Sequence, residues 1–166
     1  MVKHARLPWL LLGLILVCGC VRSSSTKPIP APAFDLPALT GGRVSLESLK
    51  GKVVVLDFWA TWCGPCLIEI PEYAELWHKN QGRGVEIVGV ACESDPQEVM
   101  DLARAQQIPY RLLMGDDRIS EEYSASGLPT TYVIDKHGLI RKRFVGTTSG
   151  KFQALQKAVN ELLAAQ

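Results

Sequence analysis

Two cysteines separated by two residues, in the run Trp62-Cys63-Gly64-Pro65-Cys66, are the side chains best placed to do chemistry. Such a pair can close a small disulfide ring and open it again, or supply half of a metal site. Its neighbours decide between the two. Upstream, Val53-Val54-Val55-Leu56-Asp57-Phe58-Trp59 is apolar and β-branched and predicts a buried strand. Downstream, Leu67-Ile68-Glu69-Ile70 and Tyr73-Ala74-Glu75-Leu76-Trp77 predict a helix with one apolar face, running to about His78 and kinked at Pro71. Cys63 therefore falls where a strand hands over to a helix N-terminus. Unpaired backbone N–H groups and the macrodipole there favour a thiolate over a thiol. A structural zinc site takes four ligands. The chain has no second Cys-x-x-Cys and no His pair, and His4, His78 and His137 lie apart. No metal and no cofactor are expected, and the pair reads as redox-active.

The front of the chain reads as an address. Lys3, His4 and Arg6 precede the short apolar run Leu10-Leu11-Leu12-Gly13-Leu14-Ile15-Leu16-Val17, which ends in Val17-Cys18-Gly19-Cys20. That ending resembles the lipobox of bacterial lipoproteins. The resemblance implies that residues 1–19 are removed and that Cys20 is lipidated as the mature N-terminus. A plain cleaved signal or an uncleaved anchor is the alternative. Val21, not Asp, follows Cys20, which leans towards the outer rather than the inner membrane. Residues 20–33 are rich in Ser and Pro and read as a tether. Residues 34–166 are left as one ordinary domain.

The formal charge is +1 over 166 residues and falls to near −1 once Lys3 and Arg6 leave. No basic patch suggests nucleic acid. Of the five cysteines, two lie in the signal and two in the motif. The fifth, Cys92, ends an apolar strand and reads as a packed free thiol rather than a third redox group.

The remaining elements can be placed from pattern alone. Phe34-Asp35-Leu36 and Arg43-Val44-Ser45-Leu46 flank Thr40-Gly41-Gly42 and suggest a hairpin. A helical turn ends at Gly51. A second strand covers residues 85–92, and Asp95-Pro96-Gln97-Glu98 starts a helix to about Gln107. A strand at residues 110–114 and a short helix at 119–123 follow. Strands at 131–134 and 139–145 flank a turn at Lys136-His137-Gly138, and Ser149 is expected to cap a C-terminal helix. The expected class is α/β, a mixed sheet sandwiched between helices.

At this point the chain resembles the thioredoxin superfamily, in its exported TlpA/ResA-like branch. The likeness is carried by Phe58-Trp59-Ala60-Thr61-Trp62-Cys63-Gly64-Pro65-Cys66, by Glu69-Ile70-Pro71, and by Gly127-Leu128-Pro129-Thr130-Thr131-Tyr132-Val133-Ile134-Asp135. It implies a thioredoxin-like three-layer sandwich with an N-terminal hairpin and a central strand–helix insertion between about Cys92 and Ser126. By the same resemblance Cys63 is the attacking, more exposed thiolate, and Cys66 resolves the mixed disulfide. Pro129 matches a cis-proline against the pair, presenting the Leu128 backbone to substrate. Asp57, six residues before Cys63, matches a buried acid that moves the Cys66 proton, where many exported members carry Asn. Trp62, Gly64, Pro65, Leu128 and Gly146 are expected around the substrate. Glu93 is read as a second proton-transfer candidate or a solvated loop charge, Trp59 as core, and Glu69 as no more than a helix-surface charge.

The function implied is a membrane-tethered, periplasm-facing thiol–disulfide oxidoreductase. It would reduce protein disulfides, for example in cytochrome c maturation, with a transmembrane electron donor of DsbD/CcdA type. A peroxiredoxin-like thiol peroxidase and a non-catalytic thioredoxin-fold binding module are the alternatives. Thr61-Trp62-Cys63 has the wrong threonine spacing for the first, and the intact cysteine pair argues against the second.

Overall fold

The structure, a computed structural model, describes residues 29–165. The expected signal, the lipobox Cys20 and the first part of the tether lie outside the described residues.

Eight strands and four α-helices follow one another among the described residues. They are β1 (Ile29–Pro30), β2 (Asp35–Pro37), β3 (Arg43–Ser45), β4 (Val53–Trp59), α1 (Gly64–Asn80), β5 (Val85–Ala91), α2 (Pro96–Ala105), β6 (Arg111–Met114), α3 (Asp117–Glu122), β7 (Thr130–Ile134), β8 (Leu139–Val145) and α4 (Lys151–Ala164). A 3₁₀ turn at Glu47–Leu49 links β3 to β4. Six strands form one sheet in the order β1-β8-β7-β4-β5-β6, and β2 and β3 form a separate hairpin. β4, β5 and β6 run parallel. β7 and β8 return antiparallel, as a tight turn at residues 136–138 requires.

β4 lies inside the sheet and all seven of its residues are buried, so its run is continuously apolar rather than alternating. Its two faces still differ. Val53, Val55 and Trp59 pack with α1, α2 and α4, through residues such as Ile70, Tyr73, Val99 and Leu155. Val54, Leu56 and Phe58 pack with the hairpin and α3, through Leu36, Val44 and Ile119. These are three layers, helices on one side and hairpin plus α3 on the other. Asp57 shares the parity of Val55 and Trp59 and so points towards α1.

Several boundaries differ from expectation for identifiable reasons. Ile29 and Pro30, assigned from composition to the tether, pair with Ile140 and Leu139 at the sheet edge. An edge tolerates proline because one side of the strand needs no ladder bond. The Tyr123 hydroxyl also donates to the Pro32 carbonyl at 2.7 Å, so the packed chain starts before residue 34. Ser149 does not cap α4. Gly150 occupies the cap position with φ +80° and no side-chain bond, a conformation glycine adopts without a Cβ clash. α1 runs through Pro71, which lies on its exposed face, to Asn80. Asp95 caps α2 as expected, accepting from the N–H groups of Gln97 at 2.8 Å and Glu98 at 3.3 Å.

Candidate active site

Cys63 is the N-cap of α1, and Pro65 occupies the first helical turn, where its missing N–H costs nothing. Cys63 and Cys66 are joined as a disulfide, with Cα atoms 5.3 Å apart. The Cys66 backbone N–H donates to Cys63 Sγ at 3.3 Å. Cys63 thus takes the place that a Ser or Asp oxygen usually fills at a helix start. In the opened ring a thiolate at Cys63 would receive a charge-assisted bond from the same N–H, and bonds of this kind are the stronger ones.

The expected difference in exposure between the two cysteines is small, with Cys63 5% and Cys66 3% exposed. Access separates them instead. Cys63 lines a surface cavity of about 400 Å³ together with Trp62, Gly64, Pro65, Glu93 and Leu128, and Cys66 is not among its walls. Trp62 is 62% exposed, yet its indole is tied down, because Nε1 donates to the Glu93 carbonyl at 3.0 Å. Glu93 has φ +45°, a left-handed conformation uncommon for a residue with a Cβ. Its backbone carbonyl is the part engaged, while the residue itself is exposed.

The Leu128–Pro129 peptide bond is cis, and Pro129 is buried. Its carbonyl accepts from the Gly146 N–H at 2.8 Å. Gly146 therefore braces the proline loop and is not among the cavity walls. Cys92 is free and 4% exposed. It accepts from the Ser120 hydroxyl at 3.3 Å, and burial raises its thiol pKa. It borders the same cavity as Cys63, but as a protonated, packed group.

A polar cluster lies on the α1 side of β4, the side that also holds the disulfide. Asp57 is 6% exposed. Its Oδ1 accepts from the Tyr73 hydroxyl at 2.8 Å and from the Thr131 hydroxyl at 2.9 Å, and those hydroxyls are 2.7 Å apart. Three contacts share two hydroxyl protons when Asp57 is ionised, and a proton on Asp57 supplies the third. Burial pushes the Asp57 pKa from 3.8 up to about 7, against the opposing pull of Lys151 and the two hydroxyls. An acid with a pKa near neutrality can both accept and release a proton there.

Glu69 is not a surface charge. It is 1% exposed and bonded through Oε2 to Lys151 Nζ at 2.6 Å. The motifs of the sequence assign neither residue to the site. The spacing holds the signal nonetheless. Cys66, Glu69, Ile70 and Tyr73 follow the helical i, i+3, i+4, i+7 pattern and are all buried. Lys151 stands four residues before Leu155 and eight before Val159, on the stripe that packs inward. Trp59 is core, as expected, at 3% exposed.

Residues 29–143 match the AhpC/TSA family. The chain belongs to that family. Within it, the chain is 31% identical over 159 residues to the thiol-disulfide oxidoreductase ResA of Bacillus subtilis (strain 168), spanning 88% of this chain and 89% of that protein. It is 36% identical over 124 residues to the thioredoxin-like protein YneN of the same strain, spanning 73% and 72%. Among solved structures it resembles a thiol:disulfide interchange protein of the thioredoxin family from Chlorobium tepidum TLS, with TM-score 0.75, 30% identity, and coverage of 84% of this chain and 99% of that one. The AhpC/TSA-family chain has the thioredoxin-like fold and is a thiol–disulfide oxidoreductase of ResA type, with Cys63 and Cys66 as its disulfide pair.

Proposed function

We propose that this oxidoreductase is a lipid-tethered reductase of protein disulfides in the cell envelope. The observation that carries the reading is the placement of Cys63 at the N-cap of α1, opening onto a cavity walled by Trp62, Pro65 and Leu128. In the reduced protein, Cys63 thiolate attacks one sulfur of a substrate disulfide. A new S–S bond forms to Cys63, the substrate bond breaks, and one substrate thiolate leaves. The Cys66 thiol passes its proton to Asp57, and Cys66 attacks Cys63 Sγ. The Cys63–Cys66 disulfide closes and the second substrate thiolate departs. Two electrons have reached the substrate, so a dithiol donor must return two to the protein. A transmembrane carrier of DsbD/CcdA type fits that need.

Leu128, next to Pro129, offers backbone to an extended substrate segment, and Trp62 and Pro65 offer apolar contact. Apocytochrome c cysteines are one substrate of suitable chemistry. The lipobox at Cys20 and the tether support anchoring at the periplasmic face of a membrane, with the outer membrane favoured by Val21. Peroxidase chemistry has less support. The Thr61 hydroxyl lies 3.1 Å from Glu98 Oε2 and 3.4 Å from Ser94 Oγ, engaged with the start of α2.

Trapping tests the reading. Cys66→Ser should hold envelope proteins as mixed disulfides on Cys63, identified by mass spectrometry, and Cys63→Ser should hold none. The reduction potential should lie nearer the roughly −270 mV of thioredoxin than the roughly −120 mV of DsbA; a value near the latter overturns the reductase direction. Labelled fatty acid should enter the wild type but not Cys20→Ala.

A further inference from the structure

The disulfide chemistry needs a nucleophile, a resolving thiol and a proton acceptor. It does not by itself need a buried ammonium, yet Lys151, the first residue of α4, is 3% exposed. Its side chain and that of Glu69 are each 1% exposed, with Nζ 2.6 Å from Oε2. The other Glu69 oxygen, Oε1, is buried and has no hydrogen-bond partner among the described residues. Lys151 Nζ also lies 6.0 Å from the centre of the Tyr73 ring. The hydroxyl of that ring bonds Asp57. One chain of contact therefore runs from α4 to the acid under the redox pair.

Stability alone does not account for this pair. Two charges taken out of water often contribute no more than apolar side chains of the same volume would. Their placement suggests another use. In a poorly polarisable interior, a charge some ångströms from a carboxyl changes that carboxyl's proton affinity strongly.

We propose that Lys151 is a positioning residue of the redox site: its ammonium, held by Glu69, sets the proton affinity of Asp57 and so the pH range in which Cys66 is activated. The inference rests on the reading of Asp57 as the acceptor of the Cys66 proton. Only a proton moves in that step, from Cys66 Sγ to the Asp57 carboxylate, and no electron is exchanged. The titratable groups that bear on Asp57 are Glu69 and Tyr73 from α1, Lys151 from α4, Tyr110 before β6 and, from the other face of the sheet, Cys92 after β5; Cys66 lies in the same core cluster as Tyr73. Tyr73 and Tyr110 are pushed up by burial first and by Asp57 second, and Cys92 mainly by burial. All three stay protonated where Asp57 titrates. Lys151 is the largest influence holding Asp57 down, and Glu69 works the other way. The ion pair thus presents two opposed charges to one acid, with the ammonium dominant.

The test is the Asp57 carboxyl titration, followed by ¹³C NMR in the oxidised, full-length protein. Lys151→Met should raise the midpoint by about one pH unit and Glu69→Gln should lower it by a similar amount, each a tenfold change in proton affinity. A merely structural pair would weaken folding in both variants without moving the midpoint in opposite directions. Should Lys151→Met fail to fold, Glu69→Gln/Lys151→Met carries the test, because adding Lys151→Met to Glu69→Gln must raise the midpoint again. Midpoints that stay put, or that move the same way, overturn the proposal. The acid limb of the single-turnover pH–rate profile should follow the midpoints. If Asp57→Asn leaves that profile unchanged, the proton-acceptor reading fails on its own, and the NMR midpoints still judge the ion pair.

Discussion

Thr131 and Asp57, separated by 74 residues in sequence, are direct partners across the β4–β7 ladder, with Thr131 Oγ1 2.9 Å from Asp57 Oδ1. The strand that carries the acid and the strand that follows Pro129 are thereby joined side chain to side chain. The proton-handling group and the substrate-facing loop share one rigid frame.

Asp57 should make stability fall as pH rises. Its pKa is raised to about 7 from 3.8, so the folded protein binds a proton that the unfolded chain releases earlier. The stabilisation is complete below pH 4 and is lost as pH climbs to 7, at most about 4 kcal/mol. Urea unfolding of the oxidised protein across that range should show the slope. Asp57→Asn should remove most of it and exceed wild type in stability at pH 8. Parallel curves for the two proteins would contradict the assignment.

The same substitution should slow the chemistry. A positioned general base contributes about 10²-fold or more, so Asp57→Asn should slow closure of the Cys63–Cys66 ring by about that factor at pH 8. Wild type should lose rate below pH 7, as Asp57 becomes protonated. Rapid-quench trapping of the mixed disulfide measures this step directly.

Trp62 and Glu93 should act on substrate recognition rather than on the reacting sulfurs. Trp62→Ala should raise KM for a protein disulfide about tenfold, a loss of about 1.4 kcal/mol, and leave reaction with dithiothreitol almost unchanged. Glu93→Gly keeps the carbonyl that holds the indole and should preserve KM. Glu93→Val puts a β-branched residue at φ +45° and should cost about 1–3 kcal/mol in stability. Steady-state kinetics with insulin and thermal melts separate the outcomes.

Breaking the Glu69–Lys151 pair should cost more than replacing it. Removing one member of a buried pair costs about 3–5 kcal/mol, whereas exchanging both for uncharged groups is often neutral. Lys151→Met should therefore be much less stable than Glu69→Gln/Lys151→Met in denaturant titrations. Equal losses would mean that the two side chains act independently.

Much of the site was legible in the chain. Cys63 and Cys66 announced themselves by spacing, and the strand before them and the helix after them by hydrophobic pattern, so a place for Cys63 at the helix start was expected. Burial of Asp57 was expected from the resemblance, and every residue of β4 is buried; strand parity decides only that Asp57 turns towards α1 with Val55 and Trp59. Glu69 was misread because a charged residue near a helix start is usually solvated. Lys151 is easily passed over because a lysine at a helix start is usually solvated, although it stands on the inward stripe with Leu155 and Val159. Ser149 and Gly150 show the limits of rules for caps, since a positive φ was needed where a hydroxyl was expected.

The sequence by itself determined the redox pair, the order of strands and helices from β2 onward, and the α/β class, because these follow from spacing and periodicity within short stretches. Only the tertiary structure decided which distant side chains meet. Asp57 finds Thr131 across the sheet, and Glu69 on α1 finds Lys151 on α4. Such contacts depend on how layers stack, and no local pattern encodes the partner. A buried charge is settled by what lies opposite it, and that is fixed only when the sheet and helices close around it.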